Sequence, residues 1–97
     1  MEIVWTDQTE AILRQIRARA PSPGAFFAFE DEIVIVTSAR ATDTFPRVLL
    51  PGEACVTVEG AVVRTGDGAI VLLGGEVDEE PADADMLAHL FGGDVAD

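Results

Sequence analysis

The chain contains no lysine, so arginine supplies all six of its cations, against 18 acidic residues and a net charge of −12. An excess of negative charge of this size repels nucleic acid phosphates and anionic membrane surfaces at long range. We therefore expect no membrane partner. Nucleic acid binding is disfavoured unless the arginines form a local cluster.

Cysteine and histidine are nearly absent. Cys55 is the only cysteine, which excludes an internal disulfide and fits a reducing cytoplasm. Since it lies in an apolar strand pattern, we interpret Cys55 as a buried hydrophobic side chain rather than a nucleophile. His89 is the only histidine and is expected to face solvent. With Asp83 and Asp85 it would form a poor metal ligand set, so neither a metal nor a cofactor is predicted.

Long apolar runs are also missing. None approaches the roughly 18 residues that a membrane span needs, and the first residues lack the basic region of a secretory signal. We therefore expect a cytoplasmic protein. The length of 97 residues predicts one domain covering residues 1–97, with a single modest core.

A helical pattern opens the chain and ends abruptly. Asp7 and Glu10 have the spacing of a capping box, and the apolar residues that follow recur on one helix face up to residue 20. Pro21, Pro23 and Gly24 cannot continue a helix. We interpret residues 21–24 as a rigid elbow that fixes the angle at which the helix covers the sheet. The alternative is that the elbow forms a surface that faces a partner.

Strand patterns follow the elbow. Short apolar runs predict strands at residues 25–29, 33–37, 54–58, 61–64 and 69–73, with a polar loop at 40–46. The strongest turn signal is Thr65-Gly66-Asp67-Gly68, because its glycines allow the positive φ of a tight hairpin. Several short strands preceded by one helix predict a mainly β, α+β domain built as a small barrel.

The last predicted element is a short helix in the acidic closing segment, residues 76–97. Its apolar stripe consists of Met86, Leu87, Leu90 and Phe91. One interpretation is that the stripe packs on the domain itself. The other is that it docks into a groove of a partner, which would then be basic.

Several of these features together resemble the C-terminal domain of the formyltransferase family, typified by methionyl-tRNA formyltransferase. The shared residues are Trp5, Ile16-Arg17-Ala18, Pro21-x-Pro23-Gly24-Ala25, Pro51-Gly52 and Thr65-Gly66-Asp67-Gly68. The resemblance implies an open Greek-key barrel, partly similar to the OB fold, with an N-terminal helix and a short C-terminal helix.

The resemblance also implies that the chemistry lies elsewhere. In that family the formyl transfer activity, with its catalytic asparagine, histidine and aspartate, belongs to a separate Rossmann-like domain. This sequence contains no asparagine and no glycine-rich βαβ turn. The resemblance therefore implies a domain without enzymatic activity.

These observations lead to one functional hypothesis and two alternatives. The first is an accessory or substrate-positioning subunit for a separate formyltransferase-like enzyme, with a protein partner or self-association. The alternatives are an RNA (tRNA)-binding module and a small-molecule-binding barrel. The candidate partner or substrate-positioning surface comprises Arg14, Arg17, Pro21, Pro23, Gly24, Arg40 and Arg47.

Overall fold

A computed structural model describes residues 2–19, 25–29 and 32–91. Two helices and six strands follow one another along these residues. They are α1 (Thr9–Arg19), β1 (Ala25–Phe29), β2 (Glu32–Thr42), β3 (Ala54–Thr57), β4 (Gly60–Arg64), β5 (Ala69–Val77), β6 (Glu80–Asp83) and α2 (Ala84–Leu90). The predicted mainly β, α+β class is confirmed. The elbow at 21–24 and the last part of the acidic segment lie outside the described residues.

The strands form one antiparallel sheet with β5 at its centre. The order across the sheet is β1-β2-β5-β4-β3. Since β3, β4 and β5 follow one another and β2 returns to lie beside β5, this order is a Greek key. β2 pairs along the length of β5, whose other edge is shared by β4 at residues 69–72 and by β6 at residues 74–77. The sheet is open, with β1 and β3 as its outer strands.

Two strands are longer than predicted. β2 continues to Thr42 instead of ending at residue 37, so Arg40 and Thr42 belong to the strand and not to the predicted loop. β5 continues to Val77 instead of ending at residue 73. Their extra residues, Ser-Ala-Arg-Ala-Thr and Gly-Gly-Glu-Val, contain no continuous apolar run, but each strand supplies the hydrogen-bonding partner of the other. A register shift between Val36 and Ala39 accommodates the local change of pattern.

β6 was not predicted at all. It follows β5 through a two-residue turn, Asp78-Glu79, and Val77 pairs with Glu80 across the hairpin. Both turn residues have positive φ, 53° and 68°. Tight hairpins of this type normally carry Asn-Gly or Asp-Gly. The turn therefore lacked its usual sequence signal, and the acidic residues of β6 looked like a solvated segment.

The two faces of the sheet bury different clusters. On one face, both helices cover the main core, in which Ile12 and Ile16 of α1 and Leu87 of α2 are fully buried. The other face has a smaller cluster of Val62, Ala69 and Val71, with Phe45 and Cys55 packed against it. Because side chains alternate along a strand, this second face takes the residues of β4 and β5 that the helices do not cover.

Aromatic contacts tie the residues before α1 to the sheet, and tie β1 to the residue that ends α2. Trp5 meets Phe27 edge to face with ring centroids 5.1 Å apart, and Phe29 meets Phe91 at 4.3 Å. Gly52 lies against the indole, since a Cβ there would be in ordinary contact with Trp5 at 3.4 Å, and its φ of 91° is a conformation that favours glycine. Trp5 and Pro51-Gly52, which are distant in sequence, are therefore one packing unit.

The turn between β4 and β5 holds the start of α1. Gly66 N donates to the Asp7 carbonyl at 2.9 Å. Asp67 Oδ1 accepts from Thr9 N at 2.8 Å and from Thr9 Oγ1 at 2.9 Å. The predicted capping box was wrong: α1 begins at Thr9 rather than near Asp7. A carboxylate from the remote turn satisfies its first N–H, which the helix itself cannot do.

Candidate binding surface

The second face of the sheet gathers three arginines. Arg40 of β2 lies opposite Val71, and Arg64 of β4 lies opposite Ala69. Residues directly opposite each other in an antiparallel pair share a face, so both arginines stand beside the smaller cluster. Arg47 joins them from the loop at residues 43–53. This group of Arg40, Arg47, Arg64 and the ring of Phe45 is called the arginine face below.

Phe45 anchors the guanidinium groups. Arg47 Cζ lies 4.4 Å and Arg64 Cζ 4.8 Å from the centroid of its ring. Arg64 also donates from Nη1 to the Gly68 carbonyl at 2.8 Å and from Nε to the Leu49 carbonyl at 3.3 Å. Arg64 is thereby positioned by three groups, whereas the exposed Arg47 guanidinium is oriented by the aromatic ring and faces solvent.

Glu59 is the carboxylate that contacts this surface. Its Oε2 lies 3.7 Å from Arg40 Nη2, and its Oε1 accepts the hydroxyl of Thr42. The ion pair is partly exposed, with a contribution to stability of about 0 to 1 kcal/mol. In the part of the chain that the structure describes, the arginine face thus has three guanidinium groups and one carboxylate in contact with them. Such a surface is suited to an anionic group.

The arginines proposed from the sequence are divided between two sides of the molecule. Arg14 and Arg17 are exposed on α1, whose buried residues Ile12 and Ile16 face the main core. Arg40 and Arg47 belong to the arginine face on the opposite side of the sheet. Pro21, Pro23 and Gly24 lie outside the described residues.

Arg64 was missed as a candidate. Its sequence signal was available, because Arg64 is separated from Val62 by one residue in a strand and therefore shares its face. The apolar run Ala61-Val62-Val63 that precedes it indicates a buried strand and not a charged surface. The stacking on Phe45 depends on the fold of the 43–53 loop, which no local pattern indicates.

The predicted docking stripe on the C-terminal helix is largely occupied by the domain's own core. Leu87 and Phe91 are buried, Leu90 is half-buried, and only Met86 stays exposed, at 54%. Asp83 caps α2 by accepting from Met86 N at 2.9 Å. The structure therefore agrees with the first interpretation, in which α2 packs on its own sheet.

The residues with the greatest chemical reactivity are dispersed. His89 is exposed on α2, and Cys55 is half-buried on β3, where desolvation raises the pKa of the thiol. Within residues 2–19, 25–29 and 32–91, no group of three or more histidine, cysteine or carboxylate side chains could hold a metal ion.

Neither of the two helices in these ranges is long and apolar enough to cross a membrane.

Comparison with known proteins identifies the family. The model of the formyl transferase C-terminal domain matches residues 1–87. Methionyl-tRNA formyltransferase of Frankia alni is 36% identical over 72 residues, which are 72% of this chain and 22% of that protein. Methionyl-tRNA formyltransferase of Pelagibacter ubique is 55% identical over 31 residues, which are 32% of this chain and 10% of that protein. The chain thus spans about a fifth or less of these curated relatives.

Solved structures share the fold. HypX from Aquifex aeolicus in complex with tetrahydrofolic acid superposes with a TM-score of 0.72 at 22% identity, covering 94% of this chain and 16% of HypX. A variant of the same protein gives a TM-score of 0.71, covering 94% of this chain and 17% of its own. Of the motif residues that carry the sequence resemblance, Trp5, Gly66 and Asp67 hold α1 and its lead-in against the sheet and the 65–68 turn. On this evidence the chain belongs to the formyltransferase C-terminal domain family.

Proposed function

We propose that this domain is a non-catalytic accessory to a formyltransferase-like catalytic domain carried by another chain, and that its arginine face orients an anionic acceptor substrate. The observation that carries the proposal is the stacking of Arg47 and Arg64 on Phe45, with Arg40 on the same face of the sheet. Half of the six arginines of the chain are concentrated on this one surface.

The distribution of reactive groups supports an accessory role. General acid and base chemistry needs a titratable group within hydrogen-bonding reach of a partner in a site. Among the described residues, the single histidine is exposed and the single cysteine keeps its proton. The motif residues Gly52, Gly66 and Asp67 have structural roles. What remains for function is a surface that binds and orients.

Reconstitution of formyl transfer tests this proposal. A formyltransferase-like catalytic chain from the same genome would be assayed with and without this domain. If the domain positions the acceptor, its addition should lower the KM for the acceptor severalfold and change kcat little. The reason is that the added contacts hold substrate and transition state alike. Arg47→Glu should abolish the effect. Arg14→Glu, with the same change of charge at an exposed site on α1, should preserve it.

Two results would count against the accessory role. One is an unchanged KM at saturating amounts of this domain. The other is recovery of the protein from its native cells without any formyltransferase-like chain.

A second candidate is an RNA-binding module, favoured by the same arginine face. Guanidinium groups neutralise phosphates, and the exposed, planar guanidinium of Arg47 offers a base a stacking surface. The net charge of −12 opposes binding at long range. Titration of labelled tRNA at about 50 mM salt, where phosphate contacts are strongest, tests it. Binding that Arg47→Glu weakens and Arg14→Glu does not would support this function, and no binding at that salt would exclude it.

A further inference from the structure

A groove opens beside α2, on the side of the helix that does not face the main core. It has a volume of about 210 Å³. Its lining residues come from β2, β5, β6 and α2, and they are Glu32, Val77, Ala82, Met86, His89 and Leu90. A shallow depression lined by Asp85, Met86 and His89 continues it along the helix. The two share Met86 and His89, so they form one surface, called the α2 groove below.

The floor of the α2 groove is apolar. Leu87 and Phe91 turn inwards, and α2 therefore presents Met86 and one side of Leu90 to the groove. Val77 and Ala82 complete the floor from the ends of β5 and β6. Met86 is 54% exposed. Its unbranched, polarizable side chain adapts readily to an apolar partner group. The groove can accept one or two aliphatic side chains.

The rim of the groove carries two carboxylates, and the exposed His89 borders both of its parts. Glu32 borders the first part and Asp85 the second. None of the described arginine side chains lines it, because Arg14 and Arg17 lie on α1 and the others belong to the arginine face. Glu32 and Arg40 are eight positions apart on β2, roughly 25 Å at about 3.3 Å per residue. The α2 groove and the arginine face are therefore separate surfaces of opposite charge.

Charge decides among the occupants of such a groove. A second copy of this chain carries the same net charge of −12 and is repelled. Residues 92–97, Gly-Gly-Asp-Val-Ala-Asp, bring two aspartates and no cation. An aliphatic residue flanked by lysine or arginine would fill the floor and pair with Glu32 and Asp85. We propose that the α2 groove binds a segment of a partner protein in which an aliphatic side chain is flanked by basic residues. The proposal does not depend on the role of the arginine face.

Peptide binding to the full chain tests this. The probes are fluorescent twelve-residue peptides with two leucines four positions apart, flanked by lysines, and versions with serine for leucine or glutamate for lysine. Fluorescence anisotropy gives the affinity, and backbone amide chemical shifts locate the site. We expect only the leucine and lysine peptide to bind, with shifts centred on Val77, Ala82, Met86 and Leu90.

A pair of variants separates the groove from general attraction to an acidic protein. Met86→Lys places a cation on the floor, and Val48→Lys makes the same change at a site that is 85% exposed and outside the groove. Loss of a central anchor is worth about 1.4 kcal/mol or more, which is tenfold in affinity. Met86→Lys should therefore weaken the leucine and lysine peptide about tenfold relative to Val48→Lys.

A second pair removes charge and leaves the floor intact. Glu32→Gln with Asp85→Asn should weaken binding severalfold, whereas Glu10→Gln with Asp43→Asn should not. Equal losses in the paired variants would overturn the proposal, as would chemical shifts centred away from the groove. Tighter binding of the glutamate peptide, or dimerisation abolished by Met86→Lys, would assign the groove to another occupant.

Discussion

Asp67 accepts two hydrogen bonds from Thr9, one from the backbone N at 2.8 Å and one from the hydroxyl at 2.9 Å, across a sequence separation of 58 residues. The Thr9 hydroxyl also lies 2.7 Å from that of Thr65, which is fully buried. The turn at 65–68 is therefore the N-terminal cap of α1 as well as a hairpin.

The Asp67 cap predicts a pH dependence of stability. Hydrogen bonds from the backbone and hydroxyl of Thr9 lower the pKa of Asp67. A lowered pKa in the folded state stabilises the protein above the unfolded value, about 3.9, and this contribution is lost as the pH falls through the folded pKa. Asp67→Asn should therefore lower the Tm at pH 7, and its difference from the parent protein should shrink below about pH 4. Thermal unfolding at several pH values measures this, with Asp43→Asn, an exposed aspartate, as the control.

Gly66 should tolerate no side chain. A Cβ at this position would lie 2.1 Å from the Thr6 carbonyl oxygen and 2.8 Å from that of Asp7. Either the turn or the start of α1 must then move, which also breaks the Gly66 to Asp7 hydrogen bond. Gly66→Ala should cost about 2 to 4 kcal/mol of unfolding free energy, measured by denaturant titration. Gly74→Ala, whose Cβ would make only ordinary contacts of 3.8 Å or more, should cost far less, and equal losses would contradict this account.

Substitution of the Asp78-Glu79 turn should stabilise the domain. Both residues adopt positive φ, which costs a residue with a side chain roughly 1 kcal/mol relative to glycine. Replacing the pair by Asn-Gly, the preferred residues of this hairpin, should raise the unfolding free energy by about 1 kcal/mol. Glu76→Gln with Glu80→Gln removes the same two negative charges from the flanking strands and serves as the control. A Tm unchanged by Asn-Gly, or raised as much by the control, would show that the turn is not strained.

Cys55 should react slowly while the domain is folded. Burial against the smaller cluster raises the pKa of its thiol, and the thiolate is the reactive form. Alkylation by iodoacetamide at pH 8 should be slower for the folded protein than for the protein in denaturant, which is the internal control. The same shift means that thiolate formation favours unfolding, so stability should fall as the pH rises above about 8.5. Equal alkylation rates in both states would show that the thiol is not desolvated.

The prediction from sequence was best where one local pattern decided the structure. The apolar run at 25–29 became β1, and the stripe containing Leu87 and Leu90 became α2. The glycine turn at 65–68 joined two strands. In each case the periodicity or the turn residues act within a few positions of one another. Strand ends were less certain, and the acidic β6 was missed because its turn lacks glycine.

The candidate surfaces depended much more on the fold. The sequence contained Arg40, Arg47 and Arg64, but only the pairing of β2 and β4 with β5 placed Arg40 and Arg64 on one face. Only the 43–53 loop brought Phe45 against two of the arginines. In the same way, Met86 lies on the floor of a groove because Leu87 and Phe91 are buried in the core.

By itself, then, the sequence determined the class of the domain, its family and most of its local elements, since these follow from composition, periodicity and short motifs. The tertiary structure alone decided that the cap of α1 comes from Asp67 and not from Asp7. It also decided that the arginines separate into two groups and that the acidic segment contributes a strand. The physical reason is that these relationships join residues distant in the chain. Their free energy comes from sheet register and packing, which no single stretch of sequence encodes.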